Sequence, residues 1–322
     1  MTPHRRMILA VGLLAPVAAR ADAYPSRPVS LIAPFAPGAS ADGVARIVGE
    51  GLSAKLGAPF VVDNRPGAGG TTGLIALARA TADGYTLGVG ATGALVVNPH
   101  IPSSSAGFEP LRELAPISKL IDIPLVIVAG AGAGLRSITD AVAASKTRDG
   151  GLSYGSTGVN SSQHLAVELL KRRTGARLVH VAYRGSAPAM TDVLGGQIPL
   201  ASVDLTSAMP HIQSGAVVPL AVTSARRVSF VPDVPTVAET VAPGFEVPAW
   251  IGLFGPARLP PELTGRLAEA VAAVLSGADA RRRVETLACV VDVLGPERFA
   301  AFLERQSAQM AEAVRATAGS GN

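Results

Sequence analysis

The chain has 322 residues, with 28 Lys and Arg against 24 Asp and Glu, a formal net charge of +4 and only 4% aromatic side chains. Its basic residues are scattered and stacking aromatics are scarce, which excludes a nucleic-acid-binding face. A single cysteine, Cys289, rules out an internal disulfide, and its apolar setting Ala288-Cys289-Val290-Val291 predicts a buried, inert thiol.

The N-terminus reads as an export signal. Arg5 and Arg6 precede an apolar run over residues 7–19, and Ala21-Asp22-Ala23 follows. Positive, apolar, small-x-small is the order of a secretory signal. The run falls short of the ~20 apolar residues a membrane span needs. Cleavage is expected near Ala23, leaving Tyr24 as the mature start and a periplasmic protein. The Arg5-Arg6 pair leaves the twin-arginine route open beside the general secretory one.

From Tyr24 onward short β-like runs alternate with helical stretches. A strand is predicted over 29–33. A helix follows over 40–56, with Val44, Ile47, Val48, Leu52 and Leu56 at helical spacing and Gly57 closing it. Then come a strand at 60–63, a helix at 72–80 and a strand at 85–89. This βαβαβ order implies a parallel sheet with helices on both faces. The pattern resumes with strands at 125–128, 152–154, 178–181, 198–203 and 217–223, and helices at 137–145, 161–173 and 186–194. Pro199 marks the 198–203 strand as an edge or a bulge. Helices at 261–275, 278–287 and 296–316 form the tail, the last with Phe299, Phe302, Leu303, Met310 and Val314 along one face. No linker separates independent domains, so two α/β lobes joined by crossing strands are expected.

The chemistry-bearing residues lie at strand-to-helix turns. In Pro34-Phe35-Ala36-Pro37-Gly38-Ala39-Ser40-Ala41-Asp42, a glycine precedes a helix whose first amides point outward with partial positive charge. That is a site for an anion without an arginine, or simply a well-capped helix with Ser40 as N-cap. A second turn, Asn64-Arg65-Pro66-Gly67-Ala68-Gly69-Gly70-Thr71-Thr72-Gly73, is glycine-rich but lacks the Gly-Lys-Ser/Thr ending of a phosphate loop, which argues against nucleotide hydrolysis. A third, Tyr154-Gly155-Ser156-Thr157-Gly158-Val159-Asn160-Ser161-Ser162-Gln163-His164, offers hydroxyl and amide donors beside a helix beginning. His164 is either a ligand contact or a satisfied structural histidine. Gly88-Val89-Gly90-Ala91-Thr92-Gly93 matches a dinucleotide fingerprint, but Pro99 soon interrupts the helix that fingerprint must open. There is no G-x-S-x-G elbow and no H-E-x-x-H, and the five histidines lack metal-ligand spacing. No cofactor, metal or catalytic group is expected.

Taken in order, the landmarks are specific. They include Tyr24-Pro25-x-x-Pro28-Val29, Pro34-Phe35-x-Pro37-Gly38, Asp42, Arg46, Asn64-Arg65-Pro66-Gly67-Ala68-Gly69-Gly70 and Asp83-Gly84-Tyr85-Thr86-Leu87. Further on come Tyr154-Gly155-Ser156-x-Gly158, His180-Val181-x-Tyr183-x-Gly185-Ser186, Gly195-Gly196-Gln197, Pro232-Asp233-Val234-Pro235-Thr236-Val237-x-Glu239 and Trp250-x-Gly252. This set resembles the substrate-binding proteins of tripartite tricarboxylate transporters, the Bug family. The resemblance implies an α/β, two-lobed periplasmic-binding-protein fold of type II, each lobe a β-sheet flanked by helices, with a ligand cleft between the lobes. Residues 24–122 and 224–322 would build the first lobe and 123–223 the second, after a signal peptide at 1–23. It implies a monomer that captures a small organic carboxylate for a large and a small membrane subunit. A module presenting ligand to a membrane sensor is the alternative. The contacts it implies are Phe35, Pro37, Gly38, Ala39 and Ser40 in the first turn, then Ala91 and Thr92 after the third strand. Ser156, Thr157, Gly158, Ser161 and His164 would contribute from the third turn, with Tyr183, Gly185 and Asp204 beyond it. Tyr183 would donate a hydroxyl and Asp204 would orient a loop, a water or a ligand amine, unless both do core or capping work. The first turn departs from the family pattern, since Ala39 replaces a glycine and Ala41 a threonine. The one narrows the approach to the backbone and the other removes a hydroxyl.

Overall fold

The computed structural model describes residues 24–38, 40–101 and 107–318. The expected signal peptide and Ala39 lie outside the described residues. Two mixed sheets organise the chain. The first has the order β11-β4-β10-β3-β1-β2. Its strands are β1 (Val29–Ala33), β2 (Phe60–Asn64), β3 (Thr86–Ala91), β4 (Leu114–Asp122), β10 (Trp250–Pro256) and β11 (Val290–Leu294). The second, β7-β6-β8-β5-β9, is built from β5 (Leu125–Gly130), β6 (Leu152–Ser156), β7 (Leu178–Ala182), β8 (Leu200–Asp204) and β9 (Val217–Val222).

The expected parallel βαβαβ unit is present, with β1 between β2 and β3 and both pairings parallel. Beyond it the sheet turns antiparallel, because β10 returns from the far end of the chain to pair with β3 and β4. All seven β10 residues and all six of β5 are buried, and both strands read as continuous apolar runs. Apolar spacing gave no sign of β4, β10 and β11. Pro199 marked 198–203 as an edge or a bulge. Instead β8 begins after Pro199 and lies between β6 and β5. The proline sits where its missing N–H costs no ladder bond, and its carbonyl still accepts from Gly130 N at 3.1 Å.

Helices follow the apolar periodicity. They are α1 (Ser40–Leu56), α2 (Thr71–Ala78), α3 (Pro110–Glu113), α4 (Ile138–Thr147), α5 (Ser162–Thr174), α6 (Ser186–Leu194), α7 (Leu205–Gln213), α8 (Val237–Thr240), α9 (Pro261–Ser276), α10 (Ala278–Thr286) and α11 (Pro296–Ala318). In α1 the buried Val44, Ile47, Val48 and Leu52 face the first sheet. α7 went unread because Pro210 stands inside it. Phe299 and Leu303 of α11 are buried against Trp250 and Phe254, the Trp250 and Phe299 rings meeting edge-on at 5.6 Å.

The chain leaves the first lobe at Ile123, between β4 and β5. Its return is later than expected. Val228, Val231, Val234, Val237, Phe245 and Val247 all pack in the second lobe's cores, so residues 224–247 belong with that lobe. The crossing falls at Ala249, whose carbonyl accepts from Ile123 N at 2.7 Å. The 232–237 stretch has little periodicity of its own, and only its packing assigns it. Cys289 is fully buried, and burial pushes its thiol up to about 12.

Docking of α11 is testable. Phe299→Ala leaves a cavity beneath Trp250 and is expected to cost about 3–5 kcal/mol, lowering Tm by roughly 10 °C. A melting curve unchanged from wild type would remove the aromatic cluster from the account of the first lobe.

Candidate functional site

The carboxyl ends of β1 and β3 in one sheet and of β6, β7 and β8 in the other lead into the turns singled out above. Crevices beyond such strand ends are where open α/β sheets bind ligands.

The first turn is built around Asp42. Its carboxylate accepts from Gly38 N at 3.0 Å, Arg46 Nε at 3.1 Å and Asn64 Nδ2 at 2.9 Å. Asn64 Nδ2 also donates to the Phe35 carbonyl at 3.0 Å. Burial alone would raise the Asp42 carboxyl, but the Arg46 guanidinium and the two amide donors outweigh it and hold the group below the usual carboxylate range. This corrects one expectation. The Gly38 amide is engaged by Asp42 and does not stand open, although Gly38 supplies the turn's left-handed φ of 84°. Pro37 and Gly38 are exposed, and Phe35 is half-buried with its ring beside Gly70. Ala41 is buried in the first core, so the missing threonine hydroxyl would have faced apolar neighbours there.

Ser40 crosses to the other lobe. Its Oγ donates to Asp204 Oδ2 at 3.2 Å and lies 3.3 Å from Thr206 Oγ1, which itself donates to the Leu287 carbonyl. On the second lobe a chain of neutral donors meets the same carboxylate: Thr157 Oγ1 donates to Gln163 Oε1 at 2.9 Å, and Gln163 Nε2 donates to Asp204 Oδ1. The backbone N–H of Asp204 is tied to Ser186 Oγ at 3.3 Å, next to Gly185, the N-cap of α6. No Lys, Arg or His is within ion-pair distance of Asp204 among the described residues, and burial raises its carboxyl against the pull of Gln163 and Ser40. Gln163, Thr206 and Ser186 were not among the expected site residues. Gln163 could have been found, because a side chain in the first helical turn after such a loop faces the same crevice.

The third turn is held by histidines. Ser156 Oγ is 2.7 Å from His180 Nε2 and accepts from Gly158 N at 3.2 Å. Ser161 caps α5 by accepting from His164 N at 3.2 Å, which leaves the amides of Ser162 and Gln163 without an intrahelical acceptor. Asn160 takes a left-handed φ of 63°, and its N–H donates to His164 Nδ1 at 3.1 Å. His164 therefore supports the turn, and its ring stacks on His180 with centroids 4.1 Å apart. Tyr183 does the core work that stood as its alternative: its hydroxyl donates to Asp192 Oδ2 at 2.6 Å, inside its own lobe, and burial together with that bond pushes it up to about 12. Thr92 is buried and accepts from Trp250 N at 3.0 Å, while Ala91 ends β3 half-buried at the crevice.

The turns from both lobes thus converge through Ser40, Asp204, Gln163 and Thr157. Tyr183 and Thr92 face inward to their own lobes.

Burial, with His180 alongside, brings the His164 imidazole down to about 4 from its ordinary 6.5. An unfolded chain takes up that proton near 6.5, so between 6.5 and 4 it binds more protons than the folded one. The stabilisation is complete above 6.5 and is lost as pH falls towards 4, on the order of 3 kcal/mol in all. Thermal melts from pH 7 to pH 4 should show a steeper decline for wild type than for His164→Gln. Parallel profiles would show that His164 is not the buried neutral acceptor of Asn160.

Known proteins share the sequence pattern and the fold. The family model described as "Tripartite tricarboxylate transporter family receptor" matches residues 44–295. "Protein BugT" of Bordetella pertussis is 38% identical over 261 residues, 80% of this chain and 78% of BugT. Among solved structures, the periplasmic binding protein BugD superposes with a TM-score of 0.84 at 33% identity, covering 92% of this chain and 99% of BugD. The Rhodopseudomonas palustris protein Rpa4515, solved with adipate, gives 0.86 at 29% identity over 92% of this chain and 98% of that one. MatC from the same species, with bound malate, gives 0.83 at 28% identity over 90% and 100%.

Proposed function

The chain belongs to the tripartite tricarboxylate transporter receptor family, a family of solute-binding receptors and not of enzymes, and from that premise we propose that it captures a small organic carboxylate between its lobes. Solved relatives in this fold are periplasmic binding proteins, and two of them hold adipate and malate. In the proposed role residues 1–23 direct export, and the loaded form is delivered to a large and a small membrane subunit.

The observation that carries this reading is the opposition of two helix beginnings, α1 from one lobe and α5 from the other, at the junction where Ser40 meets Asp204. Amides at a helix start carry partial positive charge and favour an anion over a neutral solute. The candidate contacts are the first turn around Ser40, the strand end at Ala91 and the third turn from Thr157 to Gln163. Lobe closure is then a population shift, driven by whatever affinity the carboxylate has for the closed form over the open one.

Calorimetry and thermal shift against mono- and dicarboxylates, malate and adipate included, test the proposal. At least one should bind, and at a hundredfold excess over Kd it should stabilise the fold by about 2.7 kcal/mol. Asp42→Ala frees the first turn from Gly38 and Asn64 and is expected to weaken that binding about tenfold or more, ~1.4 kcal/mol. Binding of neutral solutes with no response to any carboxylate would overturn the reading.

A further inference from the structure

The G-x-G-x-x-G pattern of Gly88, Gly90 and Gly93 leads into a five-residue turn and not into the long helix a dinucleotide fingerprint opens, so its glycines need another cause. Two are explained inside the first lobe. A Cβ on Gly88 would stand 2.9 Å from Leu77 Cδ2 and 3.3 Å from the Ile32 carbonyl, and one on Gly90 2.7 Å from Leu95 Cδ1. Both let the β3 backbone pack closely against its own core. Gly93 differs. It opens a short π-helical turn, Gly93–Val97, and its φ lies outside the left-handed region, so its backbone suits any residue. Every atom that a Cβ there would meet belongs to the opposite lobe: Asn160 O at 3.1 Å, Ser161 Cα at 3.6 Å and Asn160 C at 4.0 Å.

We propose that Gly93 sets how closely the two lobes can approach, acting as a positioning residue for capture through the absence of its side chain. The atom it faces is a backbone carbonyl in the third turn, beside the Ser161 cap of α5. That carbonyl cannot rotate aside as a side-chain end would. The turn around it is fixed by the Asn160 bond to His164 and by the Ser161 cap. A methyl at 93 therefore wedges the lobes apart by a few tenths of an ångström. A valine, whose branch is stiff at χ1, props them further. The other junction, Ser40 with Asp204, would lengthen in step. Outside the turn that Gly93 opens, the atoms within 4 Å of a Cβ placed there all belong to the second lobe.

This inference rests on the capture reading above, and the experiment separates the two. Val61 and Val179 are exposed on different lobes, on β2 and β7, and the native Cys289 is buried. Spin labels at Val61→Cys and Val179→Cys report the inter-lobe distance by pulsed electron resonance, without ligand and with malate or adipate. Wild type should populate the short distance of the structure. Gly93→Ala should reduce that population and weaken malate or adipate binding about three- to tenfold, and Gly93→Val should abolish the short distance and weaken binding about a hundredfold or more, since apparent affinity scales with the closed fraction. Both variants should melt no lower than wild type, since alanine and valine suit a helical start better than glycine. A short distance that persists in Gly93→Val, or one never populated by wild type, would overturn the inference. Should no carboxylate alter wild type while the Gly93 variants still open the lobes, the carboxylate reading fails and the steric one stands.

Discussion

Asp204 places a carboxyl group where the two lobes meet, and the neutral donors Ser40 and Gln163 hydrogen-bond to it. Its carboxylate takes a hydrogen bond from Ser40 of the opposite lobe and another from Gln163 of its own. An unpaired carboxylate loses much of its hydration when such a junction forms, and that loss opposes the meeting of the lobes. The bonds from Ser40 and Gln163, with the contact of Leu287 and Thr206, work the other way. The two sets of contributions oppose one another, and in the capture proposal a bound anion adds its own preference for one arrangement.

The same economy runs through the turns. Asp42 spends its carboxylate on Gly38, Asn64 and Arg46, and so fixes the loop before α1 from within. Ser156, Ser161 and the two stacked histidines fix the loop before α5. Each loop is held by its own lobe, so it keeps its shape whether or not the other lobe is near. The supports leave the Ser162 and Gln163 amides at the start of α5 without an intrahelical acceptor, and the capture proposal relies on such amides.

Much of the framework was legible because periodicity and helix punctuation report local physics. Val44, Ile47, Val48 and Leu52 marked α1, and Gly57 marked its end. The misses have one origin. β10 is a run of Trp, Ile, Leu and Phe broken by Gly252, with no alternation to betray it, and its partners β3 and β4 lie more than a hundred residues away. The segment at 224–247 has no pattern of its own and joins the second lobe through Val237, Phe245 and Val247. At the site, the turns that the sequence singled out meet through some of the expected side chains and not through others. Ser40, Thr157 and Asp204 do converge. Tyr183 turned out to be bound to Asp192, and Gly38 to Asp42, because residue type cannot say which neighbour reaches a hydroxyl or an amide first.

The glycines in and just after β3 show how far a pattern can be carried without its tertiary setting. Gly88, Gly90 and Gly93 have dinucleotide spacing, yet the first two are small because Leu77 and Leu95 press on the strand. Gly93 is small against Asn160, a residue from another lobe. Had the pattern opened a long helix, its glycines would have served a phosphate. Here the helix is a single turn whose residues Ala94 to Val97 are fully buried in the first core. Its start is therefore pinned from behind and cannot retreat from the third turn. A surface that cannot yield, facing a carbonyl that cannot rotate, makes the size of one side chain a determinant of how near two lobes can come.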